Sequence, residues 1–176
     1  MSLNRAVAAL GAVAVVGALT VGFSVWGAHD AGHRVPQVYV TSGSTWTPVS
    51  PLATCYNGGK AIPTKTLTAC AKKVQTLSTA NSAKAVSVRP NSTFTIGVDK
   101  NITKIGWDAS GSATLVAPTT KYQANNLPLS QVFATSTDQT TGATTTTDKG
   151  TVLVIERKNG AGPIYGVWVF SLKTAS

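Results

Sequence analysis

The chain has little of the chemistry that enzymes use. Histidine is absent after His33, and the whole chain has only six Asp and Glu side chains. Without histidine, residues 34–176 cannot build the Ser-His-Asp or Cys-His arrangements of nucleophilic catalysis. A glycosidase-like pair would need two carboxylates that converge on one cleft. Asp99 and Asp108 instead flank one predicted strand, and Asp138 and Asp148 lie in the Thr-rich segment 136–149, which predicts a mobile loop or an exposed hairpin tip. We therefore expect no catalytic residues and no enzyme.

Cofactor and metal motifs are also missing. Residues 58–60 (GGK) lack the upstream Gly and downstream Ser/Thr of a phosphate-binding loop, so they predict only a turn. His29 and His33 are spaced four residues apart, but nothing else in that segment completes a metal site. The basic residues are scattered and not interleaved with aromatic residues, which argues against nucleic acid. We therefore expect no cofactor, no metal and no nucleic-acid partner.

The most informative stretch that is present is residues 6–28. Its 23 residues contain no ionisable side chain, and as a helix they would span roughly 34 Å, enough to cross a bilayer. The apolar core is longer than that of a cleavable signal peptide, and Trp26 disturbs the best small-residue cleavage frame. Arg5 before the stretch favours a cytoplasmic N-terminus. We expect a retained single span, with a cleaved signal followed by secretion as the alternative.

This stretch divides the chain into three parts. Residues 1–28 form the predicted membrane anchor or signal segment, residues 29–36 (HDAGHRVP) a linker, and residues 37–176 an extracytoplasmic domain. Two of the 15 basic and one of the six acidic residues precede residue 35, which leaves 13 basic and five acidic side chains, a formal net charge of about +8. Such a domain would be attracted to lipid headgroups, anionic wall polymers or an acidic protein.

Two cysteines lie in the exported part. The exported part has an even number of cysteines, Cys55 and Cys70, and an extracytoplasmic compartment is oxidising. This combination predicts one disulfide. The bond would close a loop of 14 residues and stabilise the domain by about 3 kcal/mol in the chain-entropy model.

Short strands dominate the predicted secondary structure. Eight or nine alternating segments recur about every ten residues, which is typical of an antiparallel immunoglobulin-like sandwich. The predicted fold class is therefore all-β, preceded by one N-terminal transmembrane or signal helix; a short helix within residues 66–76 is the one further possibility. Residues 164–173 are apolar on both faces, which places that strand in the middle of a packed structure or against a partner. The predicted strands cover residues 37–41, 45–49, 85–89, 93–98, 102–107, 113–116, 130–135, 151–156 and 164–173.

Three groups of residues resemble a known family. They are Cys55-Tyr56 with Gly59 and Cys70, residues 96–102 followed by Gly106-Trp107, and residues 166–168 with Phe170, Leu172 and Lys173. Through these groups the sequence is similar, over residues 36–173, to an actinobacterial domain-of-unknown-function family of small exported proteins. The resemblance implies an extracytoplasmic location and supplies no activity, substrate or catalytic residue. Many members look like lipoproteins with a Cys after the signal, and this chain has no such Cys.

Two functions fit these observations. The first is a non-catalytic accessory or binding module that packs against an integral membrane protein complex. The alternative is a free-standing binder of an anionic envelope component, wall polymer or lipid, with a groove lined by lysines. The possible interaction surface is Asp99, Lys100, Trp107 and Trp168, although the two Trp residues also suit a core and Asp99-Lys100 a turn. The groove lysines would be drawn from Lys72, Lys73, Lys100, Lys104 and Lys121.

Overall fold

The computed structural model describes residues 34–80, 82–90, 92–137 and 141–174. The predicted span and most of the linker lie outside these residues. Within them, no helix has the length and apolar character needed to span a membrane.

Two sheets face each other in a sandwich-like, mostly β fold. Sheet A has the strand order β2-β1-β4-β7, and sheet B has the order β3-β11-β10-β5-β6. The strands of sheet A are β1 (Val38–Ser42), β2 (Thr45–Val49), β4 (Thr93–Val98) and β7 (Gln123–Pro128). The strands of sheet B are β3 (Lys84–Val88), β5 (Trp107–Ser110), β6 (Thr114–Thr119), β10 (Lys149–Arg157) and β11 (Ile164–Thr174).

Alternating side chains from both sheets fill the space between them. In β4 every second residue is buried, so Phe94, Ile96 and Val98 face the core while the intervening residues face outward. Trp168 and Phe170 on β11 enter the same core from sheet B. A separate small hairpin pairs β8 (Thr135–Thr137) with β9 (Thr144–Thr146) within the Thr-rich segment that was predicted to be a loop or exposed hairpin.

A helix covers the outer face of sheet B. Helix α1 (Thr64–Thr79) buries Cys70, Ala71 and Val74, which share one side of the helix because Val74 follows Cys70 by four residues and Ala71 by three. These residues form a second apolar cluster with Val167 and Val169 of β11. The outward-facing apolar residues of the final strand are therefore covered by the chain itself.

The disulfide fixes this helix. Cys55 lies in a short turn (Ala53–Cys55) beside β11 and bonds to Cys70 in the middle of α1, with their Cα atoms 5.1 Å apart. Leu52, just before the turn, packs against the same cluster, and its N–H donates to the Val167 carbonyl. The predicted Cys55–Cys70 pairing is confirmed.

Several expectations about the fold need correction. The domain is not all-β, because α1 forms one of its layers. The sheets are not wholly antiparallel, because β3 runs parallel to β11. Residues 123–128, which are not among the predicted strands, form the edge strand β7, whose few apolar residues face inward and whose polar residues face solvent. The predicted strand 130–135 is not one strand: its first two residues belong to a single helical turn (Leu129–Gln131), and only Thr135 lies in a strand, β8.

The segment 102–107 is also not a strand. Helix α2 (Lys100–Ile105) occupies most of it, and β5 begins only at Trp107. The chain must cross from sheet A to sheet B between Val98 and Trp107, and a helix that buries Ile102 makes this crossing. Gly106 ends the helix at φ 108°, a conformation that few residues other than glycine adopt.

Candidate functional site

The strand registers bring several chain segments to one end of the sandwich. In sheet A the beginning of β1 lies opposite the end of β4, where Val38 pairs with Val98. In sheet B the beginning of β5 lies opposite the end of β10, where Trp107 pairs with Glu156. Helix α2 joins these two places. We call this region the tether end, because residues 34–37, which follow the predicted span, enter the domain here.

Two tryptophan side chains hold this end together from inside. The Trp168 indole N–H donates to the Pro36 carbonyl at 3.3 Å, and the Trp107 indole N–H donates to the Lys121 carbonyl at 2.8 Å. Both rings are fully buried. The entering segment and the loop between β6 and β7 are therefore attached directly to the core.

Basic side chains are concentrated at the tether end. Seven lysine and arginine side chains at this end are exposed, and none of the seven forms an ion pair with a described residue. Lys104 makes one neutral hydrogen bond, to the Asn101 side chain at 3.0 Å. The seven come from six different segments of the chain: Arg34, Lys60, Lys65, Lys100, Lys104, Lys121 and Lys158.

The three carboxyl groups at this end are each held within the domain. Asp99 accepts hydrogen bonds from the Gln37 N–H at 2.7 Å and from the Tyr39 hydroxyl at 2.8 Å. Asp108 accepts two from the Arg157 guanidinium, at 2.6 and 3.0 Å. Glu156 is buried. Counted over the described residues, eight basic side chains at this end, Arg157 included, against three carboxyl groups leave a formal net charge of +5, or +6 while Glu156 is protonated.

The opposite end of the sandwich carries less charge. In the described residues it has three basic side chains, Arg89, Lys149 and Lys173, and the carboxylate of Asp148. Lys149 and Lys173 lie opposite each other on β10 and β11. The charge of the domain is therefore polarised towards the tether end.

Glu156 lies in a row of residues across the inner face of sheet B. The row runs from Tyr56 through Gly166 and Glu156 to Trp107. Only 3% of Glu156 is exposed, and its Oε2 atom has no hydrogen-bond partner among the described residues. Gly166 leaves the space that this packing needs, because a Cβ there would lie 2.5 Å from the Trp168 ring and 3.1 Å from Oε2.

This environment changes how two side chains titrate. Burial raises the pKa of Glu156 from its ordinary value of 4.5 to about 7. Burial, and then the charge of Glu156, raise the pKa of Tyr56. A carboxyl group that is partly protonated at neutral pH therefore lies inside the tether end.

An aromatic pair occupies the outer face of sheet A. The rings of Tyr39 and Trp46 stack with centroids 4.9 Å apart and planes inclined by 16°, and 59% of Trp46 is exposed. Asp99 fixes Tyr39 from the tether end. Burial first, then the hydrogen bond to Asp99 and its negative charge, raise the pKa of Tyr39.

The predicted lysine-lined groove does not form as a single site. A groove of about 940 Å³ lies between the edge strands β6 and β7, and of the five candidate lysines only Lys121 lines it. Lys72 and Lys73 lie on α1, outside sheet B, and Lys100 and Lys104 lie on α2. The groove also contains Tyr122, which is 60% exposed.

The four residues predicted as an interaction surface meet at the tether end but have different surroundings. Lys100 is exposed, Asp99 is half-buried, and Trp107 and Trp168 are fully buried. The two tryptophans are core residues that shape this end and cannot contribute exposed surface. Sequence reasoning missed Glu156, although a single carboxyl at the end of the apolar run 151–156 was a visible signal.

The chain was compared with protein families, curated proteins and solved structures. No family model, no curated protein and no solved structure matches the chain.

Proposed function

We propose that this protein is a non-catalytic extracytoplasmic binding module, held at the cell membrane by residues 6–28, whose tether end binds an anionic component of the envelope. The observation that carries this proposal is the group of seven exposed basic side chains without an ion-pair partner in the described residues. Opposite charge attracts and orients anionic partners towards such a surface. The position of the group matters as much as its size, since it surrounds the segment that follows the predicted span.

The internal bonds of the tether end support a role in presenting this surface. Asp99 and Asp108 are engaged with Tyr39 and Arg157 and so are not available to neutralise the lysines. Burial keeps Glu156 partly protonated near pH 7. The domain thus confines its negative charges within its own structure at the end where its positive charges are exposed.

We further propose that the sandwich is of the immunoglobulin-like type. The order β11-β10-β5-β6 corresponds to strands G, F, C and C′ of such domains, and the pairing β1-β4-β7 corresponds to strands A, B and E. Trp107 at the start of β5 is buried, as is the characteristic tryptophan of strand C. The disulfide differs, because it joins α1 to a turn and does not join the two sheets.

A second candidate is an accessory subunit that packs against an integral membrane protein complex. The stacked Tyr39–Trp46 pair favours it, because no helix within the described residues covers the outer face of sheet A and an exposed Trp is a common anchor in interfaces. The final strand no longer argues for a partner, because α1 covers its outward-facing residues. If a protein partner exists, we expect it on the Tyr39–Trp46 face.

The proposal is tested by the state of the N-terminus and by what the protein binds. The tagged chain would be purified from gently solubilised membranes of its source, and the mature N-terminal peptide and bound proteins identified by mass spectrometry. We expect an intact 6–28 segment and no stoichiometric protein partner. A stoichiometric membrane protein lost on Trp46→Ala would favour the accessory subunit. Cleavage near Gly27 would overturn the membrane tether and leave a secreted basic domain.

A further inference from the structure

We infer that the tether end docks directly on the anionic headgroups of the bilayer that holds the chain. This inference rests on the proposed function and names the anionic partner as lipid. It follows from three observations: where the chain enters the domain, how the positive charges are distributed, and which aromatic side chain accompanies them.

The position of the entering chain limits how far the tether end can lie from the membrane. Pro36 is buried and bonded to Trp168, so the chain is attached to the domain at this residue. Residue 36 lies eight positions after residue 28, and an extended chain of that length reaches roughly 28 Å. The opposite end lies farther away by the length of β11, whose 11 residues span roughly 36 Å. The end that the tether holds close to the bilayer is thus the basic one.

The distribution of the lysines matches a broad anionic surface better than a compact ligand. They lie on separate segments, among them the Lys60 turn, the first turn of α1, α2 and the turn at Lys158. Only Lys121 lines the groove beside this end. A sheet of lipid headgroups presents negative charge over an area, and it can meet all of these side chains together.

Tyr122 adds a second type of contact at the same place. It follows Lys121 and is 60% exposed. Tyrosine has an apolar ring and a polar tip, and it is enriched where membranes meet water. Lysine stems likewise bury their methylene groups while the ammonium group remains hydrated. The pair formed by Lys121 and Tyr122 therefore suits the headgroup layer.

The test compares the two ends of one strand in the full chain. Spin labels are attached to Thr120→Cys at the tether end, or to Ala113→Cys at the opposite end; these two exposed positions flank β6. The chain is reconstituted into nanodiscs of phosphatidylcholine, with or without 30 mol% phosphatidylglycerol. Retention of the chain in floated, carbonate-washed discs first establishes insertion, and relaxation by a lipid-soluble paramagnetic agent then reports contact with the bilayer.

Charge reversals supply the matched variants. Lys100→Glu with Lys104→Glu changes the tether end, and Lys149→Glu with Lys173→Glu makes the same charge change at the opposite end. We expect the label at position 120 to contact lipid only in anionic discs and to lose contact in high salt. The first double variant should lower the ratio of docked to undocked domain at least about 30-fold, the loss expected from two lysine contacts alone, while the second should leave it unchanged.

Each alternative outcome separates the inference from the function on which it rests. Failure of the chain to insert would overturn the membrane tether and the docking with it. An inserted chain whose label at position 120 contacts lipid equally in neutral and anionic discs would overturn the electrostatic docking. An inserted chain that ignores anionic lipid but binds poly(glycerol phosphate), with loss in the Lys100/Lys104 variant, would overturn lipid docking and keep the proposed binding module. Binding to neither would overturn both.

Discussion

The outer faces of the two sheets differ in whether a helix covers them. Helix α1 covers sheet B, and Ala71 and Val74 pack there against Val167 and Val169. In the part of the chain that the structure describes, no helix lies over the outer face of sheet A, which presents threonines with the stacked Tyr39–Trp46 pair. An apolar outward face on a strand therefore does not by itself imply a partner protein, because a short segment of the same chain can cover it. The uncovered face shows more clearly where a partner could bind.

The largest effect on stability is expected from a charge placed between helix α1 and sheet B. Val169→Asp would bury an unpaired carboxylate between α1 and sheet B, and we expect it to lower the free energy of unfolding by about 3 to 5 kcal/mol. The matched change on the other face is Thr93→Asp, at an exposed position of β4, where we expect an effect within about 1 kcal/mol. Guanidinium denaturation of the full chain in detergent measures both, and equal effects would contradict the contrast between the faces.

Removing the disulfide tests how firmly the helix is held. Cys55→Ala with Cys70→Ala should lower the free energy of unfolding by about 3 kcal/mol, because the unfolded chain loses a closed loop. Amide exchange should speed up most in α1 and little in β1 or β4. The reduced wild-type chain is the control, since it keeps both side chains without the bond. Uniform acceleration through both sheets would show that the bond does not act on the helix specifically.

The third prediction concerns the buried carboxyl of sheet B. The pKa of Glu156 is raised in the folded state, to about 7 from 4.5. The unfolded chain therefore releases its proton first, and stability should fall as pH rises from about 4.5 to 7, by no more than about 3 kcal/mol, and then level off. Glu156→Gln should remove this dependence and stabilise the domain at pH 8. Asp148→Asn, at an exposed carboxylate, should leave the pH profile unchanged; a slope that persists in Glu156→Gln would assign it to another group.

The smallest effect is expected on the open face. Trp46→Ala removes a ring that is mostly exposed, so stability should fall by only about 1 kcal/mol, the order of an aromatic pair. Thermal unfolding monitored by circular dichroism measures this change. The expected cost is small enough that the variant can report on binding. A loss near that of Val169→Asp would mean that this face is covered after all.

The sequence predicted the strands with clear alternation and missed the elements that depend on three-dimensional context. Strands β2 and β4 were predicted with the bounds that they have in the structure. The buried residues of β4 alternate along the strand, whereas β2 was predicted from the turn at residues 42–44 that precedes it. Helix α2 was predicted as part of a strand because its segment is short and rich in β-branched residues. The three-residue spacing of Ile102 and Ile105 in fact places both on one face of a helix and on opposite faces of a strand. Strand β7 was overlooked because an edge strand needs few apolar residues. The tether end could not be predicted as a site, because its lysines come together only through the strand registers.

One detail of the entry point has a mechanical consequence. The segment from the predicted span continues directly into β1, which is an internal strand of sheet A with β2 on one side and β4 on the other. Its hydrogen bonds run perpendicular to the strand. A pull on the N-terminal segment along β1 would load both rows of bonds in shear at the same time. An edge strand would instead be peeled away one bond at a time, so the domain is attached where it best resists being torn from its tether.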